Sequence, residues 1–177
     1  MASTAGDVLA GALRAVRAGG GEVRAAFGPA GYDTGLLRAY GPSIAGMAVY
    51  MANSPFELGS PAVRTFQNAM NTYAPEASET GGLVAMQAYL AADLFLRGLA
   101  AAGPCPSRAG FIGGLRQVAD YTAGGLLAEP VDLRTNLGRV SRCLYFVRAT
   151  HSGAAFEVMP GGDGPDGRQW CGQQLGG

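Results

Sequence analysis

Lysine is absent from this 177-residue chain: all thirteen basic side chains are arginine. There is one histidine, one tryptophan and three cysteines. Thirteen acids balance the thirteen bases, so neither sign of charge is in excess. A nucleic-acid-binding surface normally carries a basic surplus, and its absence argues against nucleic acid as a partner. Charged residues make up only 15% of the chain and hydrophobic ones 48%, which excludes a polar disordered polymer. No window of about 20 apolar residues is free of charge, so no transmembrane span is expected. Asp7, Arg14 and Arg17 interrupt the first twenty residues, where a signal peptide has a basic start and then an unbroken apolar run of roughly 7–15 residues. No export signal is read there. The lone His151 and the spacing of Cys105, Cys143 and Cys171 match no zinc pattern, so no metal and no cofactor is expected.

What is abundant is small. Gly and Ala together account for 60 of the 177 residues. Together with the lysine-free basic set, this follows the codon usage of a GC-rich genome and bears on source rather than function. The length is that of one ordinary domain, at roughly 100–200 residues per domain. Three cysteines allow one disulfide and one spare thiol in an oxidising compartment.

Periodicity and punctuation predict an α/β order. Thr4 can cap a first helix carrying Val8, Leu9, Leu13 and Val16, with Asp7 in its first turn, and Gly19-Gly20-Gly21 ends it. A short strand, 22–27, leads into the loop Gly28-Pro29-Ala30-Gly31-Tyr32-Asp33. Asp33 can cap a brief helix that stops at Gly41-Pro42. The apolar run 44–51 suggests a strand covered on both faces, as in a parallel sheet. Ser60-Pro61 starts a helix with Val63, Phe66, Met70 and Tyr73 on one stripe. The longest helical stretch is 79–102, and Ser107 caps the next helix. Cys143–Ala149 and Ala155–Met159 read as strands joined by the turn Thr150-His151-Ser152-Gly153, a hairpin. The tail from Pro160 is Gly-rich, with Trp170 and Cys171 as its anchors.

Chemistry-bearing motifs are few. There is no Gly-x-Ser-x-Gly elbow, Walker loop or dinucleotide fingerprint. Glu57, Glu76, Glu79, Asp93, Asp120, Glu129 and Asp132 are scattered without catalytic spacing. An enzyme has no positive support. The best candidate site is the loop between the first strand and the second helix, since ligands of open α/β sheets sit outside the carboxyl ends of strands. In it, Tyr32 is suited to stacking on a ligand or donating a hydrogen bond. Gly28 and Gly31 serve the turn, and Asp33 has helix capping as its simplest role.

The ordered set AAFGPAGYDTGLL, AGMAVYM, SPFELGSPAVRTFQNAMNTYAPEA, AYLAADLFLRGLAAAGPCPSRAGFIGGLRQVADYTAGGLLAEPVDL and SRCLYFVRAT resembles the C-terminal half of bacterial ABC-transporter substrate-binding proteins of the leucine/isoleucine/valine-binding type. The resemblance runs from Thr4 to about Cys171. It implies a type 1 periplasmic-binding (Venus-flytrap) fold in partial form: incomplete parallel-sheet lobes with a C-terminal β-hairpin. Residues 1–40 would end one lobe, 41–130 would be the helix-rich C-terminal part of the other, and 131–177 would return to the first with the hairpin and a flexible tail.

The implied partners are a small-molecule ligand, an amino acid or similar, bound between lobes, and an ABC permease. The family works outside the cytoplasm; a chain expressed without an export signal would stay inside. The cleft-facing loop maps to Gly28, Ala30, Gly31, Tyr32 and Asp33. Several amino-acid-binding relatives place an acid there; this sequence departs from them, with Ala30 near that place and Asp33 three residues on. The resemblance also implies a Cys143–Cys171 disulfide within one lobe, with either pairing of Cys105 as the alternative. A receptor's sensing module of the same fold, and a non-functional truncated copy with exposed strand edges, are the other readings.

Overall fold

The computed structural model describes residues 5–76, 82–136, 138–164 and 167–173. Its helices are α1 (Gly6–Ala18), α2 (Thr34–Tyr40), α3 (Pro61–Tyr73), α4 (Leu83–Ala102) and α5 (Arg108–Leu115). Its strands are β1 (Phe27–Gly28), β2 (Ala48–Met51), β3 (Cys143–Ala149), β4 (Phe156–Val158) and β5 (Gln169–Cys171). Single 3₁₀ turns occupy Gly41–Ile44, Phe56–Leu58 and Ala123–Gly125.

Local chemistry accounts for most helix starts. The Ser60 hydroxyl accepts from the Val63 N–H at 3.2 Å, with Pro61 at the first helical position of α3. The Ser107 hydroxyl accepts from Gly110 N–H at 3.0 Å and starts α5. α1 begins without a side-chain cap, and the expected capping residue, Thr4, lies outside the described residues. Instead, Asp7 in the first turn and Arg17 in the last complement the helix dipole. The Arg17 guanidinium also donates to the carbonyls of Ser43 at 2.8 Å and Ala45 at 2.9 Å, pinning the turn that leads into β2.

The five strands form one mixed sheet in the order β1-β2-β3-β4, with β5 also on β3. β1 and β2 are parallel neighbours joined by α2, whereas β3 runs antiparallel to β2, with Val49 opposite Val147 and Met51 opposite Tyr145. β4 returns from β3 through the turn after Ala149, as the hairpin signal predicts. The sequence reading needs four corrections. The segment 22–27 becomes strand only at Phe27–Gly28, because it lies at the sheet's edge, with β2 on one side alone. The run 44–51 is strand only from Ala48, since Pro42 sits in a 3₁₀ turn and Gly46, at φ +75°, turns the chain again. β2 is not a wholly parallel strand, because the hairpin covers its other edge. The tail is partly sheet: β5 pairs with β3, placing Cys171 opposite Cys143, and those two cysteines form a disulfide. Cys105 is free and exposed. The expected helix start at Glu79 lies outside the described residues.

Two apolar cores result. In the first, Val49, Met51, Tyr145, Val147 and Ala149 pack beneath Ala10 and Leu13 of α1 and Leu37 of α2. The second joins Val63 and Phe66 of α3 to Met86 of α4 and to Ala123 and Leu126. Because β1 pairs with β2, the first core runs across residue 41, and the change from one core to the other falls just after Met51. α4 is the one described helix long and apolar enough to cross a membrane by length and composition. It carries Asp93 and Arg97, and packs on α5, where Gly98 leaves room for the Phe111 ring.

Two stability predictions follow from this packing. Phe66 is fully buried and Tyr73, on the same helix, is 85% exposed. In urea denaturation, Phe66→Ala is expected to cost about 3–5 kcal/mol, and Tyr73→Ala within about 0.5 kcal/mol of zero. The disulfide closes a 28-residue separation. Replacing Cys143 and Cys171 together by Ser is expected to cost about 3–4 kcal/mol, while Cys105→Ser leaves the urea midpoint unchanged.

Candidate functional site

β1 and β2 end on the same side of the sheet because they are parallel. The chain leaves β1 into the loop that reaches Asp33, and leaves β2 into Ala52–Gly59. These two loops meet, and the meeting point is the candidate site.

The first loop is held by close backbone packing. Gly6 at the start of α1 lies so near Gly31 that a β-carbon there would strike the Gly31 backbone. Gly31 itself has φ +109°, open to glycine and strained for other residues, and lies against Met47 and Leu36. Gly28 is half-buried beneath Leu9, and Ala30 is half-buried beside Gly6. Asp33 caps α2: its Oδ1 accepts from Gly35 N–H at 2.5 Å and Leu36 N–H at 3.2 Å.

Tyr32 is buried at 5% exposure, although a stacking residue for a ligand would present its ring to the cleft. Its ring stacks on Phe56 at 5.4 Å between centroids and meets the edge of Phe156 at 5.1 Å. Its hydroxyl donates to Glu57 Oε2 at 2.5 Å and accepts from the Phe56 N–H at 2.9 Å. Burial, then the charge and hydrogen bond of Glu57, push the phenol far above its ordinary range, against a smaller opposite pull from the Phe56 N–H. The structure thus engages the ring and the hydroxyl within the protein. It sets the exposed Glu57 carboxylate beside the loop. Glu57 also borders a depression of about 520 Å³ with Arg148, Glu157 and Arg168. Arg148 Nε donates to Glu157 Oε1 at 2.7 Å there.

Sequence reasoning placed Glu57 among scattered carboxylates. Nothing in the spacing of Tyr32 and Glu57, 25 positions apart, marks them as partners. The second missed feature is the pair Asn53 and Ser54, 2% and 4% exposed, at the passage between the cores. Ser54 N–H donates to Leu126 C=O at 2.7 Å, and Ala128 N–H donates to Ala52 C=O at 2.9 Å. Asn53 faces Leu127 in an antiparallel bridge, and its Oδ1 accepts from Gln87 Nε2 at 3.4 Å. Two chain segments therefore cross side by side from one core to the other.

Further along, Glu129 accepts from the Arg142 N–H at 2.5 Å, the Ser141 hydroxyl at 2.9 Å and the Cys143 N–H at 3.3 Å, tying this crossing to the start of β3. Burial disfavours its charge, but these donors and the Arg142 charge together hold its carboxyl below the usual range. In the second core, the Tyr121 hydroxyl donates to Asp93 at 2.8 Å, and burial followed by that bond raises its phenol. His151 is exposed in the hairpin turn. Among the described residues no group of three His, Cys, Asp or Glu side chains is placed to hold a metal ion.

Both shifted phenols have a pH consequence. Their folded values lie above the ordinary tyrosine value of about 10, so the fold keeps protons that the unfolded chain releases. Their contribution is complete below about pH 10 and is lost as pH rises further. Tyr32→Phe is expected to cost about 1–3 kcal/mol at neutral pH and to flatten the alkaline decline, checked by urea denaturation at several pH values between about 8 and 11.

Comparison with known proteins gives the family. Among curated proteins none matches the chain. A fatty acid ABC transporter substrate-binding protein from Thermomonospora curvata superposes with a TM-score of 0.72 at 20% identity, over 88% of this chain and 40% of that one. A possible leucine/isoleucine/valine-binding protein from Rhodopirellula baltica SH 1 gives 0.70 at 16% identity, over 88% and 40%. A substrate-binding periplasmic protein from Ralstonia solanacearum gives 0.67 at 22% identity, over 88% and 44%. These similarities establish the fold, with the chain spanning less than half the length of each structure. The family model described as periplasmic binding protein matches residues 1–154. With a mixed α/β sheet, two cores and paired crossings, the chain belongs to the periplasmic binding protein family.

Proposed function

We propose that this chain forms part of the solute-binding component of an ABC importer, acting outside the cytoplasm and without catalysis. One wall of its ligand cleft is built by Gly28, Ala30, Gly31, Tyr32 and Asp33 together with the turn 56–58. The observation that carries the reading is the Tyr32–Glu57 hydrogen bond. It fixes an exposed carboxylate beside the loop at the carboxyl ends of two parallel strands, where α/β sheets bind ligands. In this arrangement Gly31 and Gly6 let the loop close on α1, Tyr32 orients Glu57, and Glu57 receives a solute ammonium. Glu57 thereby supplies the acid that the sequence lacks at Ala30. A branched-chain amino acid, or a related small polar solute, fits that chemistry. Closure would turn about the paired segments 52–54 and 126–128, and a membrane permease would read the closed form.

The similarity to a fatty-acid-binding relative supports a second ligand class, so the test includes both. Leucine, isoleucine, valine, small amides and dodecanoate are titrated into the chain by calorimetry and thermal shift. An amino acid at a concentration 100 times its Kd is expected to stabilise the fold by about 2.7 kcal/mol. Glu57→Gln is expected to weaken that binding about tenfold or more and, because the Gln amide oxygen still accepts the Tyr32 hydroxyl but without the charge, to lower the melting temperature only slightly in the absence of solute. Binding of dodecanoate alone would move the reading to the apolar class; no response to any solute would remove it.

A further inference from the structure

Between the second core and the start of β3 the chain makes a long excursion, 129–142. The residues after β5 return beside it, where Gly172 N–H donates to Arg142 C=O at 2.8 Å. The two segments enclose a cavity of about 480 Å³, a size that holds a small molecule. Among the described residues that line it, none belongs to the loop 28–33 or the turn 56–58. Four of them are charged: Glu129, Asp132, Arg139 and Arg142. Two acids beside two arginines would ordinarily pair off and leave nothing for a ligand, but the bonding here is different.

Both acids are satisfied by other groups. Asp132 Oδ1 accepts from the Arg134 N–H at 3.0 Å and Nε at 2.9 Å, and its Oδ2 accepts from Arg134 Nη2 at 2.8 Å. Glu129 Oε1 accepts from the Ser141 hydroxyl and from the N–H groups of Arg142 and Cys143. The Arg142 guanidinium lies 3.7 Å from Glu129 Oε2, too long for a hydrogen bond. Among the described residues the Arg139 guanidinium has no hydrogen-bond or ion-pair partner. The main chains of both arginines are nevertheless held. Arg139 N–H donates to Asn136 C=O at 2.9 Å, Arg142 is bonded at both its N–H and its C=O, and the disulfide at Cys143 adds a covalent tie one residue on. The result is two fixed main-chain positions carrying uncommitted guanidinium heads at one cavity. A guanidinium fork matches the oxygen pair of a carboxylate or a phosphate. Asn136, half-buried on the same wall, adds a side-chain amide, and Val131 and Val140, the latter 81% exposed, add apolar area.

We infer that this cavity binds a small organic oxyanion, its charged oxygens held by Arg139 and Arg142 and its apolar part lying on Val131 and Val140. Carboxylate and phosphate present the same acceptor pair to a guanidinium, so the shared chemistry defines the ligand class. The inference uses no residue of the Glu57 site and stands independently of the solute-binding reading.

The test titrates isobutyrate, isopropyl phosphate and the neutral isobutyramide into the full, isotope-labelled chain at constant ionic strength, read by amide NMR shifts. Saturable shifts at Asn136, Arg139 and Arg142 are expected with one or both anions, and whichever binds identifies the oxyanion. Isobutyramide is expected to produce none. Arg139→Gln is expected to weaken anion binding about tenfold or more. Arg116→Gln, an equal loss of charge at another exposed position, is expected to leave it unchanged. Arg139 is exposed, so its substitution is expected to keep the urea midpoint of the parent chain. Equal binding of isobutyramide, undiminished binding by Arg139→Gln, an equal loss with Arg116→Gln, or no saturable shift at these residues with either anion would overturn the inference.

Discussion

A row of aromatic contacts runs through this molecule, and Tyr32 is its centre. Phe156 on β4 meets Tyr32, Tyr32 stacks on Phe56, Phe56 stacks on Phe66 of α3, and Phe66 meets Tyr89 of α4 at 5.2 Å. The row begins in the first core and ends in the second, with Phe56 packing against both. Aromatic pairs of this geometry contribute about 0.5–1.5 kcal/mol each beyond their buried area. At the centre the Tyr32 hydroxyl must be satisfied, because a buried unpaired polar group costs about 1–3 kcal/mol. Glu57 and the Phe56 N–H satisfy it. One side chain thus sets the position of the loop after β1, the turn after β2 and the carboxylate proposed to meet the solute.

The same turn is where the chain changes cores. Asn53 and Ser54 are polar and buried, which requires partners, and the segment 126–128 supplies backbone ones. These two segments bond to each other where the chain passes from one core to the other. The aromatic row crosses at the same level. The residues of the proposed binding wall and those of the passage between cores therefore adjoin in the stretch 52–58.

Much of the architecture was legible because it follows from local chemistry. Ser60-Pro61, Ser107 and Asp33 start helices through side-chain geometry that depends only on near neighbours. The hairpin after β3 is a turn signal between two strand-like runs. Strand limits were less legible, since a strand exists only where a partner lies beside it: 22–26 has β-compatible residues but little to pair with. The strand in the tail was not legible because β5's partners on β3 lie 24 to 28 positions away in sequence. In the candidate site, the loop's position after a strand was readable. The burial of Tyr32 was not, since one tyrosine pattern serves a solvent-facing ring and a core ring alike.

By itself the sequence determined composition class, helix starts, the hairpin, the alternation of helix and strand, and the family resemblance carried by ordered segments. These depend on contacts within a few residues or on patterns that survive substitution. Tertiary structure alone decided which carboxylate stands beside the loop, which of the apolar runs pair, where one core gives way to the next, and that Arg139 and Arg142 share a cavity with Gln173. Those depend on contacts between residues tens of positions apart. Such contacts form only when the chain has closed its long loops, and no local pattern records them.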